Sequence, residues 1–428
     1  METPICDYLA DLTKRAPLRL HMPGHNGEFP HDITEINGAD SLYETDRSGG
    51  IIASSEYNAA QLFGALRTCY SCGGSTLAIQ TALAILKANG CKTIAAGRFS
   101  HKSLVNSAAL LGMDIKWLYS KSWLSAEVDL ENQDLGGADA LFITNVDYYG
   151  GTCKIENPKL PVVMDNAHGS YLKFADKSVR GEYVHPLDRD FPVISAESAH
   201  KTLPVLTGGA YLHFSRGTNF MRAKEFMAMF GSSSPSYLIM ETLDRWNGII
   251  SKNPDIVTQA CEYVANTKKR LADLGVAILP SDPLRIVIDA CDCGYSGYEF
   301  AALLRINGVE CEMADSNRVV LLFSAATTLA EARRAEVAAA LIPRKTPVPK
   351  KVYPVIQPKI EMPPYEAVFK KQKLVPVSEA AGEICGSVSP HCPPCVPVIM
   401  PGEHIDSEAV EALKIHGMKY ISVLDKQS

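Results

Sequence analysis

Short apolar runs alternate with longer helical stretches between residues 70 and 215. The apolar runs have the length and composition of buried strands, and they read KTIAAG, DIKWLY, ADALFITNV, LPVVMD, FPVISAES and GGAYLHF. HKSLVNSAALLG, between two of these runs, has helical spacing. The alternation predicts an α/β domain built around a largely parallel sheet. In such sheets, ligands bind where the loops begin, at the carboxyl ends of the strands.

The pattern changes around Arg245. A long helical stretch, IVTQACEYVANTKKRLADLG, leads to the runs RIVIDA, VECEMA and RVVLLFS, with the helical YEFAALLRING among them, which predicts a second, smaller α/β domain. The segment TPVPKKVYPVIQPKIEMPPYE follows, and its prolines cannot continue a helix or a central strand. We therefore predict three parts: a large domain over 1–245, a small α/β domain over 246–343, and a linker with an appended C-terminal domain over 344–428.

Composition narrows the functional classes. The chain has 428 residues, 46% of them hydrophobic, which is enough for a large core. Its longest apolar runs contain polar residues and fall short of the roughly 20 residues that span a membrane. The N-terminal METPICDYLADLTKR has early acidic residues and no secretory pattern, so a cytoplasmic protein is expected. A formal net charge of −6 argues against a nucleic-acid partner.

The twelve cysteines are spread along the chain without a compact even framework, which is typical of reduced thiols. Cys392 and Cys395 form a CPPC motif, with Cys385 upstream. This spacing could chelate zinc or cycle as a dithiol. Because this CxxC pair has no second pair nearby, we favour the interpretation that its cysteines are free thiols on a proline-rich loop. We predict no metal site.

Two stretches contain candidate ligand-binding residues near the ends of predicted strands. SCGGSTLAIQTALAILKANG places Ser75 and Thr76 at the start of a helix that Gly90 ends. Such a helix start attracts phosphate, although an ordinary capped helix has the same pattern. In PVVMDNAHGSY, Asp165 directly follows an apolar strand. A carboxylate held there needs a cation or a strong donor, unless it caps the next turn.

The stretch ESAHKTLPVLTGG places Lys201 at the end of a buried strand. A lysine near a phosphate site and an acid fits pyridoxal 5'-phosphate, joined to Lys201 as a Schiff base. Desolvation and a neighbouring positive charge favour that linkage by lowering the pKa of the amine, and His200 is a candidate neighbour. Asp165 is then the acidic partner of the cofactor's pyridine nitrogen.

These motifs together resemble the bacterial ornithine, lysine and arginine decarboxylases with the type I pyridoxal phosphate (aspartate aminotransferase) fold. The matching segments occur in the family's order along nearly the whole chain: LHMPGHNG (20–27), LFGA and GGST (62–76), RFSHKS (98–103), DYYGG (147–151), DNAHGSYLKF (165–174), SAHKTLPVLTGG (198–209), SSPSYLIMETLD (233–244) and PPCVPVIMPGE (393–403). The resemblance implies a large domain with a mostly parallel seven-stranded sheet. The larger family members carry an N-terminal receiver-like domain, and this chain begins almost directly with the PGH segment.

The resemblance also implies roles for individual residues. Lys201 holds the cofactor, Asp165 pairs with its pyridine nitrogen, and His101 stacks on one face of the ring with Ala167 on the other. Without the family context, His101 would be read as a histidine satisfied at a helix start. The remaining cofactor-binding residues, most of them around the phosphate, are Gly74, Ser75, Thr76, His168, Ser198 and His200. Glu403 of the PGE motif is expected to hold the distal cation of the substrate, the alternative being a surface glutamate at the start of the next helix.

The implied reaction is decarboxylation of lysine, arginine or ornithine to the corresponding amine, with Lys201 or His200 as the candidate proton donor to Cα. A homodimer or an assembly of dimers is expected, with the segment 232–237 reaching the partner. Asn166 and the two CPPC cysteines depart from the family pattern and leave the preferred amino acid open. An aminotransferase or another lyase of the same fold is the first alternative, and a non-catalytic assembly subunit is the second.

Overall fold

A computed structural model of the protein describes residues 1–34, 50–122, 125–388 and 396–425. Its α-helices and β-strands, in chain order, are α1 (Pro4–Arg15), α2 (Ile51–Phe63), β1 (Arg67–Ser71), α3 (Gly74–Ala88), β2 (Thr93–Gly97), α4 (Lys102–Leu111), β3 (Asp114–Leu118), β4 (Ala140–Thr144), β5 (Val162–Asp165), α5 (Lys177–Arg180), β6 (Val193–Glu197), α6 (Ala199–Thr202), β7 (Ala210–Phe214), α7 (Ala223–Phe230), α8 (Tyr237–Lys252), α9 (Ile256–Asp273), β8 (Ile278–Leu279), β9 (Arg285–Asp289), α10 (Gly297–Ile306), β10 (Met313–Ala314), β11 (Arg318–Leu322), α11 (Leu329–Ala340), α12 (Pro364–Ala367), β12 (Gln372–Pro376), α13 (Ser407–Ile415) and β13 (Tyr420–Leu424).

The main sheet has seven strands in the order β1-β7-β6-β5-β4-β2-β3. Strand β2 runs parallel to β3 and β4, and β5 runs parallel to β6. Strand β7 is antiparallel to both of its neighbours, β1 and β6. This mostly parallel sheet confirms the predicted α/β class. Every residue of β5, β6 and β7 is buried, which explains why these strands read as near-continuous apolar runs.

The described chain divides into two compact units. The first unit comprises Met1–Ile85, Val162–Glu262 and Ser324–Thr327. It contains β1, β5, β6 and β7, and its core includes an aromatic cluster around Phe63, whose ring lies 4.7 Å from Phe174 and 5.1 Å from Tyr211. Helix α2, which carries Phe63, packs against β1 and α8. This unit places the ends of β5 and β6 beside each other.

The second unit comprises Leu86–Pro161, Tyr263–Phe323 and Thr328–Ser428. It contains β2, β3 and β4, an antiparallel four-stranded sheet in the order β10-β11-β9-β8, and the antiparallel pair β12 and β13. The predicted runs RIVIDA and RVVLLFS are β9 and β11. Residues 343–359 form no helix or strand, as their prolines predict. The two units are interleaved in sequence, and the boundaries proposed at 245 and 343 stay a prediction.

Among the helices that the structure describes, none combines the length and the apolar character needed to cross a membrane.

Candidate active site

The first unit brings two predicted segments together at one edge of the sheet. Strands β5 and β6 are parallel neighbours, and Asp165 pairs in register with Ala196. The loop after β5 carries Asn166, Ala167 and His168, and β6 is followed by Ser198 and the short helix α6 with Lys201. The Asn166 amide N–H donates to the carbonyl of Ala196 at 2.9 Å. Because parallel strands end at the same edge, these loops lie side by side.

Lys201 and His168 are in direct contact. Lys201 Nζ lies 3.0 Å from His168 Nε2. A protonated lysine has only donors, so the ring nitrogen accepts this hydrogen bond. His168 is buried and Lys201 is partly buried. The contact therefore orients the lysine amine within the site of the first unit.

Asp165 is a buried carboxyl, only 5% exposed. Its Oδ1 accepts a hydrogen bond from the amide of Ala167 at 3.1 Å. Burial raises the pKa of Asp165, whereas the positive charge of Lys201 acts in the opposite direction. A buried carboxylate with a raised pKa gains from a further cationic or strong hydrogen-bond donor. The surroundings of Asp165 thus suit a protonated ring nitrogen.

The start of helix α3 lies next to these residues and is the candidate phosphate site. The amide of Gly74 donates to the carbonyl of Gly208 at 2.8 Å, and Ser198 Oγ donates to Ser75 Oγ at 2.7 Å. The first amides of a helix have no intrahelical acceptors, and the helix dipole favours negative charge there. Two hydroxyl groups and the first-turn amides, including that of the exposed Thr76, are therefore available to a phosphate.

His200 is held by one backbone carbonyl. Both its amide and its Nδ1 lie within hydrogen-bond distance of the Gly209 oxygen, at 3.2 and 3.0 Å. A carbonyl only accepts, so Nδ1 carries a proton. Burial is the main cause that lowers the pKa of His200, so the ring is neutral at pH 7 and Nε2 has a lone pair. His200 could donate to a phosphate from Nε2, or place a positive charge beside Lys201, only with a protonated ring. The lowered pKa opposes that protonation.

Gly208 provides a test of the phosphate site. Its φ is +95°, and an added Cβ would lie 3.1 Å from the Cys72 oxygen and 3.2 Å from Ile239 Cδ1. Gly208→Ala should lower the free energy of unfolding by about 1–3 kcal/mol and weaken phosphate binding, because the carbonyl that accepts from Gly74 must shift. Urea unfolding and titration with inorganic phosphate measure the two effects.

Gly90 is the matched control, with a φ of +93° and open space around the added Cβ. Gly90→Ala should show the backbone strain alone and leave phosphate affinity unchanged. Equal effects of the two substitutions on phosphate affinity would contradict the proposed role of Gly208.

His101 lies in the second unit, at the start of helix α4. It is the N-cap residue, and its Nδ1 accepts the amide of Ser103 at 3.2 Å and lies 2.9 Å from Ser103 Oγ. The prediction of a helix start here is confirmed. The predicted stacking of His101 on a cofactor ring stays a prediction.

Glu403 also lies in the second unit and is only 1% exposed. Its carboxylate is paired with Arg98, with Nη2 and Oε2 2.8 Å apart. Helix α13 begins at Ser407 and is capped by Asp406, whose side chain accepts the amide of Ala409. The alternative of a surface glutamate starting that helix is therefore wrong, and the contact with a substrate cation stays a prediction. Sequence reasoning placed Arg98 directly after an apolar strand, in the segment RFSHKS, but gave it no role of its own.

Cys392 and Cys395 lie outside the residues that the structure describes. Cys385 is buried, and its Sγ lies 3.3 Å from the carbonyl oxygen of Ser387. Burial raises its pKa to about 12. The thiol is therefore protonated at neutral pH and is a poor nucleophile and a poor metal ligand in this state.

Comparison with known proteins points to one family. A family model described as "Orn/Lys/Arg decarboxylase, major domain" matches residues 124–288. The arginine decarboxylase of Bacillus subtilis is 25% identical over 96% of this chain and 92% of its own length. Both matches support a relationship of this chain to the Orn/Lys/Arg decarboxylase family.

Two further relatives add detail. The uncharacterized protein YaaO of Bacillus subtilis is 28% identical over 100% of this chain and 98% of its own. The crystal structure of the Francisella novicida lysine decarboxylase superimposes with a TM-score of 0.78 at 16% identity, covering 99% of this chain and 81% of the other. This last similarity supports the fold, which is that of type I pyridoxal phosphate enzymes.

Proposed function

We propose that this protein is a pyridoxal phosphate-dependent decarboxylase of lysine, arginine or ornithine, which releases CO₂ and the corresponding amine. The observation that carries the proposal is the grouping of Lys201, His168 and Asp165 beside the start of helix α3 in the first unit. Amine, acid and phosphate site are the three groups that the cofactor requires. The relationship to the family then favours decarboxylation over the other reactions of the fold.

The residues of the first unit fit this cofactor. The helix start with Ser75 and Ser198 would hold the phosphate, Asp165 would pair with the pyridine nitrogen, and Lys201 would bond the aldehyde carbon. When bound, pyridoxal phosphate accepts into its ring the electron pair left by the departing carboxylate. Burial raises the pKa of Asp165, and a ring N–H would supply a donor that favours the ionised carboxylate.

Lys201 is the better of the two candidate proton donors to Cα. Its ammonium form carries protons on Nζ, and His168 Nε2 accepts one hydrogen bond from it. His200 directs its Nδ1 proton to the Gly209 carbonyl, and its neutral Nε2 has no proton to give. We therefore propose that Lys201 would bond the cofactor until the substrate amine displaces it, and that the released amine, in its ammonium form, would return the proton to Cα. His200 would help to hold the turn of α6.

The direct test measures CO₂ release from lysine, arginine and ornithine by the protein reconstituted with pyridoxal phosphate. At least one of the three should turn over with amine and CO₂ formed in equal amounts. Formation of a keto acid with transfer of the amino group would instead identify an aminotransferase. Absence of turnover with all three amino acids would overturn the proposal.

We also propose that the protein is a homodimer or an assembly of dimers. In the first unit, the segment after α1 exposes Leu18 at 83% and Leu20 at 82%, and residues 232–234 before α8 are exposed as well. Neighbouring exposed leucines are unfavourable in water and are covered when a second copy binds.

Leu20→Asp should therefore shift the mass in light scattering towards the monomer. It should raise the dimer dissociation constant by about 10-fold or more, the effect of losing one buried leucine at an interface. Leu341→Asp, at an exposed leucine of the second unit, should leave the mass unchanged. A wild-type monomer that is fully active at high dilution would contradict the proposal.

A further inference from the structure

Arg98 and Glu403 form a buried ion pair in the second unit, although 305 residues separate them in sequence. Their side chains are 3% and 2% exposed. Arg98 follows strand β2 directly, and Glu403 lies in the segment that precedes helix α13. The pair therefore connects the C-terminal part of the chain to the loop that leads from β2 into α4.

Further contacts fix both members of the pair. Arg98 Nη2 also donates to the carbonyl of Val398 at 3.0 Å, and the guanidinium lies 4.9 Å from the centre of the Trp117 ring. The amide of Met400 donates to the same Glu403 oxygen as Arg98, at 2.7 Å. The Arg98 guanidinium is thus held through Nη2 and through its contact with the Trp117 ring.

The carboxylate of Glu403 is poorly placed to receive a substrate cation in this arrangement. Oε2 is already used by Arg98 and Met400, and Oε1 is out of contact with solvent and makes no hydrogen bond to the described part of the chain. A carboxylate neutralised by a guanidinium also attracts a second cation weakly. Burial raises the pKa of Glu403, and the charge of Arg98 opposes that shift, so the electrostatic partner of Glu403 is Arg98.

Arg98 is three residues from His101. The amide of Arg98 donates to the carbonyl of Leu118 at 2.8 Å, and Ser100 Oγ donates to the carbonyl of Gly97 at 2.6 Å. His101 then caps α4 through its contact with Ser103. The turn 98–103 is thus held from both ends. The buried ion pair connects it to the C-terminal segment, together with the burial of Phe99 in the same apolar cluster as Val398 and Ile399.

We propose that Glu403 is a positioning residue that acts through Arg98 to fix the turn 98–103, and with it the ring of His101. The effect on catalysis rests on the proposed function and on the predicted contact of His101 with the cofactor. The effect on the conformation of the turn is independent of the proposed function. Glu403 would then set the rate with every substrate and would not select among them.

Hydrogen exchange tests the structural part without cofactor or substrate. In the apo protein, amides of peptide 98–104 should exchange about 10-fold faster or more in Glu403→Gln and in Arg98→Met, because each substitution leaves one buried charge without its partner. Arg98→Met/Glu403→Leu removes both charges and keeps apolar volume, so it provides a folded comparison if a single variant unfolds. The proposal would be overturned if this peptide exchanged at the wild-type rate in the single variants. If the single variants do not fold, a wild-type rate in the double variant would overturn it.

Kinetics test the catalytic part. Glu403→Gln and Arg98→Met should each lower kcat by about 10- to 100-fold, by a similar factor for lysine, arginine and ornithine, with KM little changed. The absorption of the bound cofactor should change in both variants. The double variant should lose no more than the worse single variant, because the two residues act as one unit.

Arg305→Met is the matched control, since Arg305 pairs with Glu310 at 2.7 Å on the surface of the same unit. It should leave both the kinetics and the exchange of peptide 98–104 unchanged. A rise in KM for basic substrates in Glu403→Gln that Arg98→Met does not reproduce would overturn the positioning role and identify Glu403 as a substrate contact. If the wild type decarboxylates none of the three amino acids, the proposed function fails, and the exchange experiment still decides the role of the ion pair in the turn.

Discussion

Replacing Lys201 with alanine is expected to lower amine formation from any basic substrate by about 10³-fold or more, because the variant lacks the amine that bonds the cofactor. The fold should survive, since Lys201 is only partly buried and its contact with His168 is a hydrogen bond between two side chains. We expect the free energy of unfolding to change by about 1 kcal/mol at most. CO₂ release and the visible absorption of the reconstituted protein measure the loss.

Covalent trapping provides a second measurement on the wild type. Borohydride should reduce the imine between cofactor and lysine and leave the label on the peptide that contains Lys201. Lys177→Ala, at an exposed lysine of helix α5, is the control and should keep both the label and the activity. A label on a different lysine, or full activity of Lys201→Ala, would remove the basis of the proposed function.

The sequence predicts the main sheet well because most of its strands are buried on both faces. All residues of VVMD and VISAE are buried, so hydrophobicity alone marks these strands. Strand β1, RTCYS, was not predicted because polar side chains occupy its buried positions. Thr68 Oγ1 lies 2.8 Å from His213 Nδ1, and the Tyr70 hydroxyl lies 2.7 Å from Ser55 Oγ. Such partners come from distant parts of the chain and leave no local pattern.

The small sheet shows a second limit. RIVID and RVVLL were recognised as strands, but their hydrophobicity does not encode the direction of pairing. In the structure β9 and β11 are antiparallel, with Val287 opposite Val320. The connection between them through α10 does not fix the direction either, because a helix can join parallel or antiparallel strands.

The candidate site is predictable where chemistry follows directly from a strand end. Asp165 and Lys201 were found in this way, and the structure places both in the first unit, where His168 on the loop after β5 contacts Lys201. The protonation of His200 was not predictable, because it depends on burial and on the carbonyl of Gly209. The pairing of Glu403 with Arg98 was not predictable either, since neither residue carries a local signal for its partner.

Asp165→Asn is expected to have opposite effects on activity and on stability. Asparagine keeps an oxygen that can accept the amide of Ala167, so the loop after β5 should keep its conformation. The variant loses the negative charge that would pair with the ring nitrogen. We expect kcat to fall by about 10²- to 10³-fold, the usual cost of removing one electrostatic contact at a reacting centre. Affinity for the cofactor should fall as well.

The apo protein should become at least as stable, and the sign follows from the pKa. Burial raises the pKa of Asp165 in the folded state above its unfolded value, so the ionised carboxyl destabilises the apo fold as pH rises through the folded pKa. Asp165→Asn removes this dependence and should raise the free energy of unfolding at pH 7 by on the order of 1 kcal/mol. Urea unfolding of the apo wild type and of apo Asp165→Asn measures this difference in the free energy of unfolding. A range of roughly pH 5 to 8 is suitable, because proteins are usually most stable there.

Asp147 is the contrasting case, because it is also a buried carboxyl in the segment that follows a strand, here β4. Its oxygens accept the amides of Ala126, Tyr149 and Gly151 at 3.0, 2.9 and 2.9 Å. Asparagine would turn an NH₂ group towards one of these donors, so Asp147→Asn should destabilise the protein by about 1–3 kcal/mol. If Asp165→Asn destabilised the apo protein as Asp147→Asn does and left kcat unchanged, Asp165 would be a structural cap of its own loop. The cofactor would then need a different acid.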